Sequence, residues 1–252
     1  MEGWRVRSID LNCDLGEGAG TEAALMSLIS SANIACGAHA GDETTMRQTV
    51  AQAVAHGVRV GAHPGYRDPA GFGRRPLDLP ADALRADLRA QIIALQSIAE
   101  EAGARVTHVK AHGALYNQGE RDERIATIVA TTVAGIDPAL ALVATPGSAM
   151  AHAAGRAGVP LVREGFIDRA YEPDGTLRSR SLPGALLLDP EHAAAQALGF
   201  VEAGGVRATD GSFLALGVDT LCIHGDSPGA AEIAQAVRAA FDRAGIAVRA
   251  PR

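Results

Sequence analysis

The chain has 252 residues, of which 47% are hydrophobic, 4% aromatic and 21% charged, with a formal net charge of −6. That length and apolar content suffice for one sizeable core, and the absence of any basic stripe or apolar run of membrane-spanning length argues against nucleic acid and membrane as partners. Cys13, Cys36 and Cys222 form an odd set without CxxC spacing, which argues against a disulfide framework; with no leader-like apolar stretch at the start, a cytoplasmic protein is expected.

Short β-branched or apolar runs alternate along the chain with longer Ala-, Leu-, Glu- and Arg-rich stretches. Strands are predicted at residues 6–12, 33–36, 58–62, 106–110, 139–144, 161–164 and 220–224. The clearest helix spans residues 80–102, where Leu84, Leu88, Ile92, Leu95 and Ala99 recur every three or four positions behind Pro80. Asp189-Pro190-Glu191 and Asp226-Ser227-Pro228 read as further helix openings, each with a capping side chain before a proline, and Gly57 and Gly103 read as helix stops. Strand–helix alternation implies parallel strands joined by right-handed crossovers. The repeat count favours an α/β fold, an irregular (β/α) barrel of about seven parallel strands in a single domain over residues 1–252, with an open doubly wound sheet as the alternative. Two longer irregular segments, 63–79 and 166–188, each follow a predicted strand, where such folds carry function.

Four of the eight histidines come just after a predicted strand: His39, His63, His112 and His224. Asp10 and Glu164 take equivalent places, so six ionisable groups are expected to converge on one face. Asp10, Asn12 and Asp14 are spaced by two, as are His108, Lys110 and His112, which puts each set on one side of its strand. Lys110 is the only lysine in a chain that otherwise uses arginine. An inward-facing lysine needs an anionic partner, and a compact ammonium suits a phosphate or an oxyanion. Glycine loops such as Gly37-Ala38-His39-Ala40-Gly41-Asp42 and Gly71-Phe72-Gly73-Arg74-Arg75 allow close backbone approach to a ligand, although no GxxxxGK[ST] or strand-linked GxGxxG is present. The acid-plus-histidine set leaves a metal open, without any HxxxH or HExxH spacing to demand one. No GxSxG elbow supports a serine nucleophile.

Seven ordered blocks then resemble the LamB/YcsF family: Ile9-Asp10-Leu11-Asn12-Cys13-Asp14-Leu15-Gly16-Glu17; Ser31-Ala32-Asn33-Ile34-Ala35-Cys36-Gly37-Ala38-His39-Ala40-Gly41-Asp42; Val60-Gly61-Ala62-His63-Pro64-Gly65-Tyr66 with the Gly71–Arg75 loop; Val109-Lys110-Ala111-His112-Gly113-Ala114-Leu115-Tyr116-Asn117; Glu164-Gly165-Phe166-Ile167-Asp168-Arg169-Ala170-Tyr171; Arg180-Ser181-Leu182-Pro183-Gly184; and Cys222-Ile223-His224-Gly225-Asp226. Ala38, Ala111 and Ile167 stand where the family usually has Phe, Pro and Ala; the lost bulk at Ala38 and the lost proline at Ala111 are expected to widen or loosen the pocket. The resemblance implies a barrel similar to sugar deacetylases. It also implies cleavage of 5-oxoproline to glutamate coupled to ATP hydrolysis, in company with 5-oxoprolinase subunits B and C. On that reading Asp10 or Asp14 is the base for water, and His39, His63 and His112 are acid–base or orienting groups. Lys110 stabilises phosphate or oxyanion charge, and Arg74, Arg75 or Arg169 clamps the substrate carboxylate. Asn12, Glu164, Asp168 and His224 complete the substrate rim. An autonomous metal-dependent amidase or deacetylase, and a non-catalytic substrate-binding component, are the rival readings.

Overall fold

A computed structural model describes residues 7–251. The elements in order are β1 (Arg7–Leu15), α1 (Glu22–Met26), β2 (Ser31–Ala35), α2 (Glu43–His56), β3 (Arg59–His63), α3 (Ala81–Glu101), β4 (Val106–Lys110), α4 (Gly113–Gly119), α5 (Glu123–Ile136), β5 (Ala141–Ala144), α6 (Ala149–Ala157), β6 (Leu161–Phe166), α7 (Pro190–Leu198), β7 (Gly205–Arg207), β8 (Phe213–Ala215), β9 (Thr220–His224), α8 (Ala230–Ala244) and β10 (Ile246–Val248). Strands β1 to β6 pair in sequence, all parallel; β9 pairs with both β6 and β1 and closes a seven-stranded barrel. β10 adds outside the ring along the start of β1, and β7 and β8 form a separate antiparallel hairpin that strand periodicity did not predict.

Local chemistry accounts for several helix ends. Asp42, Asp122, Ser148 and Asp189 each accept a hydrogen bond from the first-turn backbone of α2, α5, α6 and α7, and Gly57 ends α2 in the left-handed region at φ 68°. α3 buries Leu84, Leu88, Ile92, Leu95 and Ala99, the predicted stripe, against the barrel. The opening expected at Asp226 is a correction: α8 begins at Ala230 behind Gly229, because the Asp226 carboxylate is drawn to the Arg74 guanidinium instead of capping. The predicted strand at 6–12 is also longer than expected. It continues to Leu15, while Val6 lies outside the described residues.

The two faces of the barrel strands differ in kind. Leu11, Cys13, Leu15, Ile34, Val60, Val109, Leu142, Leu221 and Ile223 are buried in the apolar layer between barrel and helices. The lumen, usually filled by branched apolar side chains, is instead polar. Asn12, Asn33, His108, Lys110, Glu164 and Thr220 hydrogen-bond or ion-pair across it. Gly61 makes room for one of them, since a Cβ there would lie 2.0 Å from the His108 Nε2.

Candidate active site

The lumen is arranged in tiers from floor to mouth. At the floor, Asp10 accepts hydrogen bonds from Ser30 (2.6 Å) and Ser31 (2.8 Å) on one oxygen and from Thr220 (2.6 Å) on the other. Burial pushes its carboxyl above the ordinary range against those bonds. Asp10 lines a floor cavity of 540 Å³ together with Arg59, Arg105 and His108, at the opposite end from the C-terminal ends of the strands. The expectation that Asp10 joins the mouth cluster is therefore corrected. It assumed that β1 stops near residue 12, and three further residues carry the strand upward.

In the middle tier, the Asn12 amide donates to Glu164 (3.1 Å) and Thr220 (2.7 Å) and accepts from Asn33 (2.8 Å). Glu164 was expected at the rim, yet it is fully buried inside the barrel, 2.9 Å from the Lys110 Nζ. Burial raises the Glu164 carboxyl above its ordinary value, with Lys110 opposing.

At the mouth, the Lys110 Nζ lies 3.0 Å from Asp14 and 3.0 Å from the Cys222 sulfur. Burial alone would lower the Lys110 ammonium, but Asp14 and Glu164 reverse that and keep it charged well above the usual lysine range. Burial alone would raise Asp14; His63, Lys110 and His224 around it instead hold its carboxyl far below normal. Asp14, His63, Lys110, His112 and His224 line one cavity of 650 Å³ with Arg74, Tyr116, Glu120 and Arg169.

One side of this mouth holds three histidines around a carboxylate that sequence reasoning gave no role, Glu17. Its Oε1 lies 3.0 Å from His39, 3.2 Å from His112 and 3.8 Å from His63. The His39 and His112 rings stack in parallel at 3.6 Å. Burial would raise Glu17, but its contacts with His112, His39 and His63 hold it well below its ordinary value. Burial lowers His63 to about 3. Glu17 follows β1 between Gly16 and Gly18, both at positive φ (74° and 78°), and that turn folds it back over the barrel. An acidic residue between two such glycines just past a strand was the available signal.

The other side is a histidine–aspartate pair. The His224 Nδ1 lies 2.9 Å from the buried Asp168 carboxylate, which also accepts from the His224 backbone N–H and the Ser227 hydroxyl. Burial would raise Asp168, but His224 holds it below the ordinary carboxylate range. Reactive atoms of Asp14, Cys222 and His224 lie within 4.8 Å of one another.

Arg169 is buried, donates to the Arg178 carbonyl at 2.7 Å, and keeps its Nε without a hydrogen-bond partner. Burial, then the nearby Arg180, lowers its guanidinium to about 10. Arg74 lines the cavity and pairs with Asp226. Arg75 does not line it: its guanidinium is tied to Asp68. Glu120, also missed from sequence, sits in the cavity wall with its carboxyl pushed up to about 7 by burial. Of the three departures from the family pattern, Ala111 lines the cavity, whereas Ala38 and Ile167 are buried away from its wall.

The family model described as LamB/YcsF matches residues 9–252. The chain is 49% identical over 251 residues to the 5-oxoprolinase A subunit of Symbiobacterium thermophilum, covering 98% of this chain and 96% of that one. Its fold superposes with a TM-score of 0.92 on the lactam utilization protein from Thermus thermophilus, at 45% identity, over 97% of this chain and 100% of that one. A T48 deacetylase shares the fold alone, at TM-score 0.51 and 13% identity over 98% of this chain and 92% of that one.

Proposed function

The chain belongs to the LamB/YcsF family, and on that premise we propose that it is the A subunit of a cytoplasmic ATP-dependent 5-oxoprolinase. It opens 5-oxo-L-proline to L-glutamate at the barrel mouth, in company with B and C subunits. The observation that carries this reading is Lys110, the sole lysine, held charged between Asp14 and Glu164 at the base of a cavity that also presents Arg169. One cation there meets charge developing on the reacting oxygen, and the other meets a fixed anionic group of the substrate.

A five-membered lactam is a poor electrophile. Transfer of the γ-phosphoryl group of ATP to the lactam oxygen releases ADP and activates the ring carbon. Water adds to that carbon and gives its proton to a base. The ring nitrogen, once protonated, leaves as the amine, and an acyl phosphate remains. A second water hydrolyses this to the glutamate side-chain carboxylate and phosphate. Loss of phosphate before the nitrogen leaves would only restore the lactam.

The residues divide these tasks by their environments. Asp14, held far below the ordinary carboxylate range, suits holding Lys110 and accepting the lactam N–H better than taking a proton from water. His224 takes the base role, its Nδ1 bound to Asp168 and its Nε2 left for the cavity. Glu120, near neutrality, supplies the proton for the departing nitrogen. Arg169 grips the substrate carboxylate with help from Arg74, and Asn12 keeps Glu164 in place beneath Lys110. With no GxxxxGK[ST] in the chain, the nucleotide is assigned mainly to the partner subunits.

The test is reconstitution, with glutamate and phosphate formation from 5-oxoproline measured for the chain alone and with B and C subunits added. Turnover only in the complete, ATP-supplied set is expected. Turnover by the chain alone without ATP would point instead to an autonomous amidase.

A further inference from the structure

The Glu17–His63–His112 cluster has a feature that the ring-opening chemistry does not use. The His63 Nδ1 lies 2.8 Å from the Lys110 carbonyl, and the His112 Nε2 lies 2.9 Å from the Phe72 carbonyl. A carbonyl only accepts, so each of these nitrogens carries its ring's proton. In the neutral rings, the form that ligates a metal, the remaining nitrogens, His63 Nε2 and His112 Nδ1, therefore present lone pairs, and they face each other at 3.0 Å. Glu17 Oε1 stands 3.8 Å from the first and 3.2 Å from the second. Three acceptors thus converge on one point with no donor among them.

We propose that Glu17, His63 and His112 form a binding site for one divalent transition metal of the zinc class, with a further coordination position facing the cavity. The separations of 3.0, 3.2 and 3.8 Å bracket the roughly 3.4 Å edge of a tetrahedron built on bonds of about 2.0–2.1 Å. Two histidines and one carboxylate are a ligand set that keeps an open position. The supporting contacts also match the outer partners that metal ligands take: each histidine donates its other N–H to a backbone carbonyl, and Glu17 receives the His39 Nε2–H at 3.0 Å. His39 donates rather than ligates, because its Nδ1 is buried without a partner that could accept a proton there.

The backbone is bent to serve the same atoms. Phe72, which offers its carbonyl to His112, is the one non-glycine residue at positive φ (53°) among the described residues. A left-handed bulky residue is strained and persists where its surroundings enforce it. Gly73 follows it, and a Cβ there would lie 2.8 Å from His39 and 2.9 Å from His112. His63 and His112 border the cavity, whereas Glu17 and His39 do not, so the open position is on the substrate side.

The test needs no substrate, so its failure and that of the 5-oxoprolinase reading are separable. Purified chain is stripped with a chelator and titrated with Co²⁺, and visible absorption and metal content are recorded. One equivalent with tetrahedral-type bands is expected, lost in His63→Ala and in Glu17→Gln. His39→Ala should weaken binding by about 10–100-fold, as removal of an outer partner does. His152→Ala, on the exposed face of α6, should leave it unchanged, and near-ultraviolet circular dichroism checks that every variant is folded. Absence of saturable Co²⁺ absorption in the folded parent chain would overturn the proposal, as would its survival in folded His63→Ala.

Discussion

Lys110 and Asp14 meet across the barrel mouth with 3.0 Å between ammonium and carboxylate, and Glu164 approaches the same nitrogen from below at 2.9 Å. All three groups are buried. Removing one member of such a set leaves charge without compensation, at a cost of about 3–5 kcal/mol. Lys110→Met should lower stability by that order in urea unfolding. The double change Lys110→Met with Glu164→Gln should recover part of the loss, because one of the two stranded carboxylates is then neutral. Equal stability of parent and Lys110→Met would contradict the pairing.

Gly61 is irreplaceable for a steric reason. A Cβ would occupy the place of the His108 ring, whose Nε2 lies 2.9 Å from the Asn33 side-chain oxygen. Gly61→Ala should destabilise by at least about 1–3 kcal/mol, the usual cost of overpacking. Gly155→Ala, at an exposed helical position with open space around it, should instead stabilise by about 0.5–1 kcal/mol. Thermal unfolding of the two variants gives shifts of opposite sign if both environments are as described.

Glu120 supplies a pH signature. Its folded carboxyl titrates at about 7 against an ordinary 4.5. A group raised on folding contributes its full stability below the unfolded value and loses it as pH climbs through the folded one. Glu120→Gln should therefore match the parent near pH 4.5 and exceed it increasingly up to about pH 7, by at most about 3 kcal/mol. A stability difference independent of pH across that window would show that the carboxyl is not buried as described.

Much of this architecture was legible in the chain. The polar–apolar rhythm around β4 and β9 and the stripe on α3 come from side-chain periodicity, which does not depend on the rest of the fold. His39, His63, His112 and His224 follow their strands as expected and reach one mouth. Asp10 was misplaced because periodicity shows which side of a strand a residue takes and not how far the strand runs. Glu17 was missed because two left-handed glycines return it to the site, a tertiary effect without any local period. Arg74 and Arg75 are equal candidates by sequence, and only the folded loop brings the Asp68 carboxylate, seven positions earlier, onto Arg75.

Arg169 offers a direct probe of substrate binding. Its buried Nε has no partner, so a substrate carboxylate would complete it with a charge-assisted bond. Arg169→Lys keeps the charge and removes the planar fork. KM for 5-oxoproline should rise by about 10–100-fold, the equivalent of a charged hydrogen bond of about 1.5–3 kcal/mol, with a smaller change in kcat. A fall in kcat at constant KM would move Arg169 from substrate binding to the chemical step.

The most direct test of ring opening at this barrel mouth is glutamate formation by the reconstituted complex carrying His224→Ala in this chain. The substitution leaves the Lys110 cluster and the exposed surfaces in place, and gel filtration reports whether B and C subunits still assemble with it. The expected result is an assembled complex with kcat reduced by about 10²–10⁴-fold, the contribution of a positioned base. An assembled complex that forms glutamate at the parent rate would contradict the assignment and place the chemistry on one of the partner subunits.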